Sequence, residues 1–283
     1  MTELEIKMQI GINVMSTIGL MRENFEETVK RLTDGGCSYF EAMSDWGAKE
    51  ETLDFYAGLT GGRNGWDPAG TLERLQYIRS LGSDIRGIFV FDEALQGQIE
   101  ELGEYCRDAG LKYIVFSFLE YQGLDDVYSK IDLLRKVAAV MRRYGVQVLM
   151  HNHEHDCAEM EDKDGKKKEI IDIFLENLSA EELTLEVDVG WLQYADIDPA
   201  AYVKRKLDRI QILHLKDICR DYKEKERSHI FVPCGSGAVD FPAIMKAVRE
   251  AGRNDMQYVI DQDGSEGDIV EDLVKSIAYL QSI

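Results

Sequence analysis

The stretch Val146-Gln-Val-Leu-Met-His-Asn-His-Glu-His-Asp156 decides the fold. An apolar run ends abruptly in three histidines and two carboxylates within residues 151–156. A strand that is buried along its length and polar only at its carboxyl end is what a parallel α/β enzyme presents at its active face. Three further segments end in the same way. Leu183-Thr-Leu-Glu-Val-Asp188 stops at an acid, Ile210-Gln-Ile-Leu-His214 at a histidine, and Met256-Gln-Tyr-Val-Ile-Asp261 at another acid. Imidazole and carboxylate are the donors that borderline and hard divalent cations take.

Working outward, strand and helix patterns alternate along the chain. Met8–Val14, Tyr39–Met43, Ile85–Phe91, Tyr113–Phe118, Val146–His151, Leu183–Asp188, Ile210–Leu215 and Tyr258–Asp261 read as short buried strands. Amphipathic helices are expected at Asn24–Thr33, Thr71–Leu81, Asp92–Asp108, Val127–Tyr144, Lys168–Asn177, Pro199–Leu207, Phe241–Glu250 and Ile269–Gln281. Glycines such as Gly110 and Gly145 sit just past helical runs, where a left-handed cap is wanted. Eight strand-plus-helix units in 283 residues is the count of a (β/α)8 TIM barrel, since open doubly wound sheets more often stop short of eight strands. No Pro, Gly or Ser-rich linker divides the chain, so one domain over residues 1–283 is expected. Two excursions, Tyr56–Trp66 with its Gly-Gly-Arg-Asn-Gly turn and the charged, hairpin-like Met160–Lys168 centred on Asp164-Gly165, read as loops overhanging the active face.

Composition narrows the function. With 33 basic and 53 acidic residues the net charge is −20, which repels polyanions and makes nucleic acid a poor partner. No apolar run is long enough to span a bilayer, so no membrane partner is expected. Met1–Lys7 shows no basic patch leading into an apolar segment, so a cytoplasmic location is the default. The five cysteines are scattered without Cys-x-x-Cys spacing, which indicates reduced thiols. Cys157 and Cys234 are the better placed of them to react.

In a barrel the strand ends converge, so His151, Asp188, His214 and Asp261 are expected around one divalent cation although they lie 37, 26 and 47 positions apart. Alternation along the fifth strand turns Gln147, Leu149, His151 and His153 to one side and Asn152 to the other. His155 reads as a loop residue.

These residues resemble the xylose isomerase-like barrel superfamily, the sugar phosphate isomerase/epimerase group that also contains inosose dehydratases and the endonuclease IV branch. The likeness covers nearly the whole chain. It is carried by His-Asn-His at 151–153, Leu-Glu-Val-Asp-Val-Gly-Trp at 185–191, Asp198-Pro199, Ile-Leu-His-Leu-Lys-Asp at 212–217, Gly-Ser-Gly-Ala-Val-Asp-Phe at 235–241 and Tyr-Val-Ile-Asp-Gln-Asp at 258–263. The resemblance implies a manganese, magnesium, cobalt or zinc ion at the ends of strands five to eight. Asp188 and His214 match the family's pattern. His151 stands where a glutamate is usual, and Asp261 replaces another glutamate with a side chain one methylene shorter. In the epimerases those two glutamates also move protons.

A cation chelated by a carbonyl and a neighbouring hydroxyl favours loss of the intervening proton to an enediolate. His153, Glu154 and Asp261 are candidate bases, with Lys216 as cationic or acidic partner. His153 is first among them because imidazole titrates near neutrality; its other reading is a residue that orients His151 or Asp188. Trp191, at a position where epimerases often carry histidine, is a candidate wall against a sugar ring, and Glu41 and Glu120 are candidate partners of substrate hydroxyls. The Gly235-Ser236-Gly237 loop could cradle a phosphate, but the acidic balance favours an unphosphorylated sugar or keto-sugar. The expected function is a metal-dependent isomerase or epimerase. The alternative is a lyase that dehydrates a keto-inositol or eliminates a group β to a ketone. A partner-dependent subunit and an endonuclease IV-like repair enzyme rank lower, and a homo-oligomer is left open.

Overall fold

The computed structural model describes residues 8–63 and 66–283. The start at Met1–Lys7, read above for a leader, lies outside them, as do Asn64 and Gly65 of the glycine turn. Eight parallel strands close into a barrel: β1 (Ile10–Asn13), β2 (Tyr39–Met43), β3 (Ile85–Phe89), β4 (Tyr113–Phe116), β5 (Gln147–His151), β6 (Thr184–Asp188), β7 (Ile210–Leu215) and β8 (Gln257–Ile260). Each pairs with its sequence neighbours, and β8 returns to β1. The fold is the expected (β/α)8 barrel.

Both faces of these strands are buried, which is why their sequences read as nearly continuous apolar runs. Outward residues such as Ile12, Phe40, Ile114, Met150, Val187 and Leu213 form the core beneath the helices. Inward, Tyr39, Tyr113, Val115, Leu149, Ile212 and Val259 fill the barrel. At its floor the two tyrosine rings lie against bare backbone: a Cβ at Gly11 would stand 2.3 Å from the Tyr39 ring, and one at Gly87 2.0 Å from that of Tyr113. Above this packed layer the inward positions turn polar, and the site begins there.

The helices differ from the sequence expectation in informative places. Asp92–Asp108 is two pieces, a 3-10 turn at Asp92–Gln96 and a helix at Ile99–Ala109, broken at Gly97. Gly110 closes the second piece at φ 74°, as the stop signal suggests. Three helices among the described residues were not expected: Ile18–Glu23, ahead of the first expected helix; Val189–Tyr194, which leaves β6 directly; and Glu50–Thr60, which absorbs the start of the Tyr56–Trp66 excursion. The other excursion is a hairpin, with Glu159–Glu161 antiparallel to Lys167–Glu169. Further helices begin at capped aspartates; Asp198 accepts from the backbone N–H of Ala200 and Ala201 with Pro199 in the first turn.

Candidate active site

Asp188, the last residue of β6, and His214 of β7 are register partners, brought level by a one-residue shift between Leu185 and Glu186. His151 ends β5, and Asp261 directly follows β8. One donor atom from each of these four buried residues lies within 4.8 Å of the others. The side chains singled out from the strand ends therefore do meet. Asn152 points away from the barrel axis, as alternation requires, and binds the Asp188 backbone: its Oδ1 accepts from the Asp188 N–H at 2.9 Å.

Beneath this group lies a second layer, of which Glu186 was not a candidate from the sequence. Glu186 and Glu41 are wholly buried inside the barrel. Glu186 Oε1 lies 3.0 Å from His151 Nδ1 and 3.0 Å from His214 Nε2. Glu41 Oε1 lies 3.1 Å from the same His214 nitrogen and accepts from Asn13 Nδ2 at 2.8 Å. Glu41 is thus a support for His214, and the expectation that it meets a substrate hydroxyl is corrected by its burial. Alternation alone points to Glu186, two residues before Asp188 on the same face of β6.

Above the donors sits Lys216. Its Nζ is 3.2 Å from Asp188 Oδ2, 2.9 Å from Asp261 Oδ2 and 2.7 Å from Asp263 Oδ2. Burial by itself would lower its pKa, but the three carboxylates outweigh that and raise it. Held positive in this way, Lys216 is suited to the cationic rather than the acidic side of its expected role. Burial likewise favours neutral Asp261, yet Lys216 and His214 outweigh it and hold the carboxyl well below its ordinary value. A carboxylate held so low is a feeble base. His214 is pulled down by burial but held well above the imidazole range by Glu186 and Glu41. His151 is driven well below it by burial, then by His214 and His153.

The donors open into a cleft of about 460 Å³. Met15, Met43, Tyr56 and Phe89 form its apolar lining, and Asn13, Ser117, His151, His153, Lys216, Asp261 and Asp263 its polar lining. His153 is held by its backbone N–H, which donates to Asp156 Oδ2 at 2.7 Å, and its buried Nδ1 has no hydrogen-bond partner. Its pKa is pushed down to about 3, first by burial and then by Lys216. The expectation of an imidazole poised near neutrality is therefore corrected: at pH 7 His153 is neutral and weakly basic. Asp263, not a candidate from the sequence, moves the other way. Burial in the cleft and then Asp261 raise it to about 7 against the pull of Lys216; its side chain is 29% exposed, so water at the mouth moderates the rise.

Three other candidates lie apart from the cleft lining. Glu154 forms a two-pronged pair with Arg227, at 2.5 and 3.1 Å. Trp191 is buried, with Lys216 Nζ 4.7 Å and Arg227 4.1 Å from its ring centroids, so cations already cover the indole proposed to face a sugar. Glu120 is exposed and accepts from the Gln122 side chain at 3.3 Å. His155 lies in the 3-10 turn Glu154–Cys157, with Nε2 2.9 Å from the Phe118 carbonyl oxygen.

The glycine loop has no amides to spare for phosphate. Asp217 accepts from the backbone N–H of Gly235 at 2.9 Å, Gly237 at 2.8 Å, Val239 at 3.1 Å and Ile218 at 3.0 Å. Nor are the cysteines reactive. All five are free and buried, and burial pushes the Cys157 thiol up to about 12 and that of Cys234 well above its ordinary value.

The donor set fits a divalent cation. Asp188 Oδ2 and His214 Nδ1 are buried and make no well-formed hydrogen bond, their near neighbours being the Lys216 ammonium at 3.2 Å and Asp261 Oδ2 at 3.3 Å. Two imidazoles and two carboxylates converging within 4.8 Å are the donor types and number that a divalent cation takes.

Comparison with known proteins places this geometry. Residues 90–283 match the model of the xylose isomerase-like TIM barrel family. Over 221 residues the chain is 25% identical to an inosose dehydratase of Geobacillus kaustophilus, covering 66% of this chain and 70% of that protein. A sugar phosphate isomerase/epimerase from Parabacteroides distasonis superposes with TM-score 0.75 at 19% identity, over 99% of this chain and 96% of that one. The IolI protein with a bound zinc atom superposes with TM-score 0.69 at 16% identity, over 96% of each chain. The chain belongs to the xylose isomerase-like TIM barrel family.

Proposed function

We propose that the protein is a divalent-metal-dependent lyase acting on an unphosphorylated keto-sugar or keto-cyclitol. It removes the proton beside the ketone and expels water or an alcohol from the next carbon. The observation that carries this reading is the shortage of matched bases around the four converging donors. Two-base epimerisation needs a proton carrier on each face of the substrate. Here His151 Nδ1 is engaged by Glu186, and Asp261 is held low by Lys216. Of the other titratable groups lining the cleft, His153 is pushed down to about 3 and burial pushes Tyr56 up, which leaves Asp263 as the base matched to neutral pH.

His151, Asp188, His214 and Asp261 would hold the cation, which when bound stabilises negative charge on the ketone oxygen. Asp263, raised toward neutrality, is best matched to take the α proton and return it to the leaving oxygen. Neutral His153 can hydrogen-bond the departing hydroxyl or alkoxy group. Lys216 keeps Asp188 and Asp261 ionised and adds positive potential where the enolate forms. In the balance, the substrate loses H from the α carbon and OH or OR from the β carbon; the products are an unsaturated ketone and water or an alcohol. The apolar wall of Met15, Met43, Tyr56 and Phe89 suits a sugar's C–H face. Lys216 is the one Lys or Arg among the lining residues and is already paired with three carboxylates, so a phosphate would find no free cation there. The inosose dehydratase likeness supports the same reaction class.

The test is product analysis in deuterated water on inososes, 3-keto-glycosides and ketoses, with His214→Ala as control. Expected are water or aglycone release and a loss of at least about 10³-fold in the variant. A stereoisomer formed without release would replace the lyase by an epimerase.

A further inference from the structure

Glu186 and His151 are register partners on adjacent strands, both pointing into the barrel. Glu186 is wholly buried, and its Oε1 faces one ring nitrogen of each imidazole in the donor set, His151 Nδ1 at 3.0 Å and His214 Nε2 at 3.0 Å. A carboxylate oxygen and an imidazole nitrogen at that separation need a proton between them. Without one, two lone pairs would oppose each other in a place no water reaches. One carboxyl proton can serve only one of the two rings, so at least one imidazole must donate to Oε1 from its inner nitrogen, even though burial and then Glu41 push the Glu186 carboxyl well above its ordinary value. This orientation leaves His151 Nε2 turned to Asp188 Oδ2, 3.9 Å away, and His214 Nδ1 turned to Asp261 Oδ2, 3.3 Å away. These outer nitrogens are the ones turned to the carboxylates of the proposed donor set. The two rings lie 4.8 Å apart at 72°, so a single oxygen between them can orient both.

We propose that Glu186 is a positioning residue which, through one carboxyl oxygen, holds both imidazoles of the metal site in orientation, each with its inner nitrogen turned to Glu186. His151 depends on it most. His214 has a second support in Glu41 and its Asn13 partner, whereas Glu186 is the hydrogen-bond partner found for His151 Nδ1 among the described residues. The proposal rests on the reading of His151 and His214 as metal donors. Glu41, Glu186 and His214 also lie within 4.8 Å of one another and could themselves hold a second cation. That arrangement would strip His214 Nε2 of its proton and is a distinguishable outcome.

The experiment compares wild type, Glu186→Gln and Glu41→Gln, each labelled with ¹⁵N-histidine. Long-range ¹H–¹⁵N correlation of metal-free protein reads which nitrogen of His151 carries the proton, and chelator competition with Zn²⁺ alone reads affinity and stoichiometry. Expected in the wild type are a single protonation form of His151 and one zinc per chain. In Glu186→Gln, whose amide can donate as well as accept, His151 becomes a mixture of forms and zinc binding weakens about 10- to 100-fold. In Glu41→Gln the His151 signature stays as in the wild type. A wild type in which His151 is a mixture of forms overturns the proposal, and so does a Glu186→Gln protein that keeps both the wild-type form and wild-type affinity. Two zinc ions in the wild type, with one lost in Glu186→Gln, overturn it in favour of a second cation site. A wild type that binds no zinc overturns the metal reading instead, and the tautomer measurement, which needs no metal, separates the two failures. Should Glu186→Gln not fold, the wild-type His151 signature still decides.

Discussion

Lys216 neutralises three carboxylates in a place where a divalent cation would neutralise two of the same three, Asp188 and Asp261. The ammonium and the cation therefore compete for charge. Lys216→Met should destabilise the metal-free protein by about 3 kcal/mol, because it leaves buried carboxylates without a counter-charge. Added metal should restore much of that loss, so the thermal shift on metal addition is expected to be larger in the variant. Equal shifts in variant and wild type would show that Lys216 and the metal do not share these groups. At this scale the sequence showed the last polar residue of each strand. Glu186 and Asp263 were also within reach, since each lies two residues from a named donor and shares its face. What alternation could not show is coupling: the low pKa of His153 comes from burial and Lys216, and the high one of Asp263 from burial and Asp261. Both depend on strand register.

Among the elements, the segment from β7 to the helix Phe241–Glu250 hangs on one carboxylate. Asp217 gathers the N–H groups of Ile218, Gly235, Gly237 and Val239, and a Cβ at Gly237 would lie 2.3 Å from its Oδ1. Asp217→Ala strands these buried donors and should cost about 3 kcal/mol, with Asp217→Asn retaining part of that. Chemical denaturation measures it; a change below about 0.5 kcal/mol would mean that the loop is held elsewhere. Strands were readable because burial on both faces writes an apolar run ending at the polar active face. The helix Glu50–Thr60 was not, because none of its described side chains is fully buried and only Leu53 and Tyr56 are partly buried against the core. Helix Val189–Tyr194 was hidden for the opposite reason: its first four residues are all buried and continue the apolar run of β6.

For the whole molecule, the closed barrel explains how donors scattered over more than a hundred residues reach one point. The strand ends needed only eightfold closure to converge, and the alternation of strands and helices was enough to expect it. The net charge of −20 and the cleft's single, already paired lysine argue against polyanionic substrates. Among the described residues no helix is long and apolar enough to cross a membrane. The central claim is that His151, Asp188, His214 and Asp261 form one metal site on which the chemistry depends. Elemental analysis of wild type and His214→Ala, purified without chelator, tests it most directly. About one equivalent of divalent metal per chain is predicted in the wild type and below about a tenth in His214→Ala. Less than about a tenth in the wild type, or an undiminished equivalent in the variant, would contradict the account.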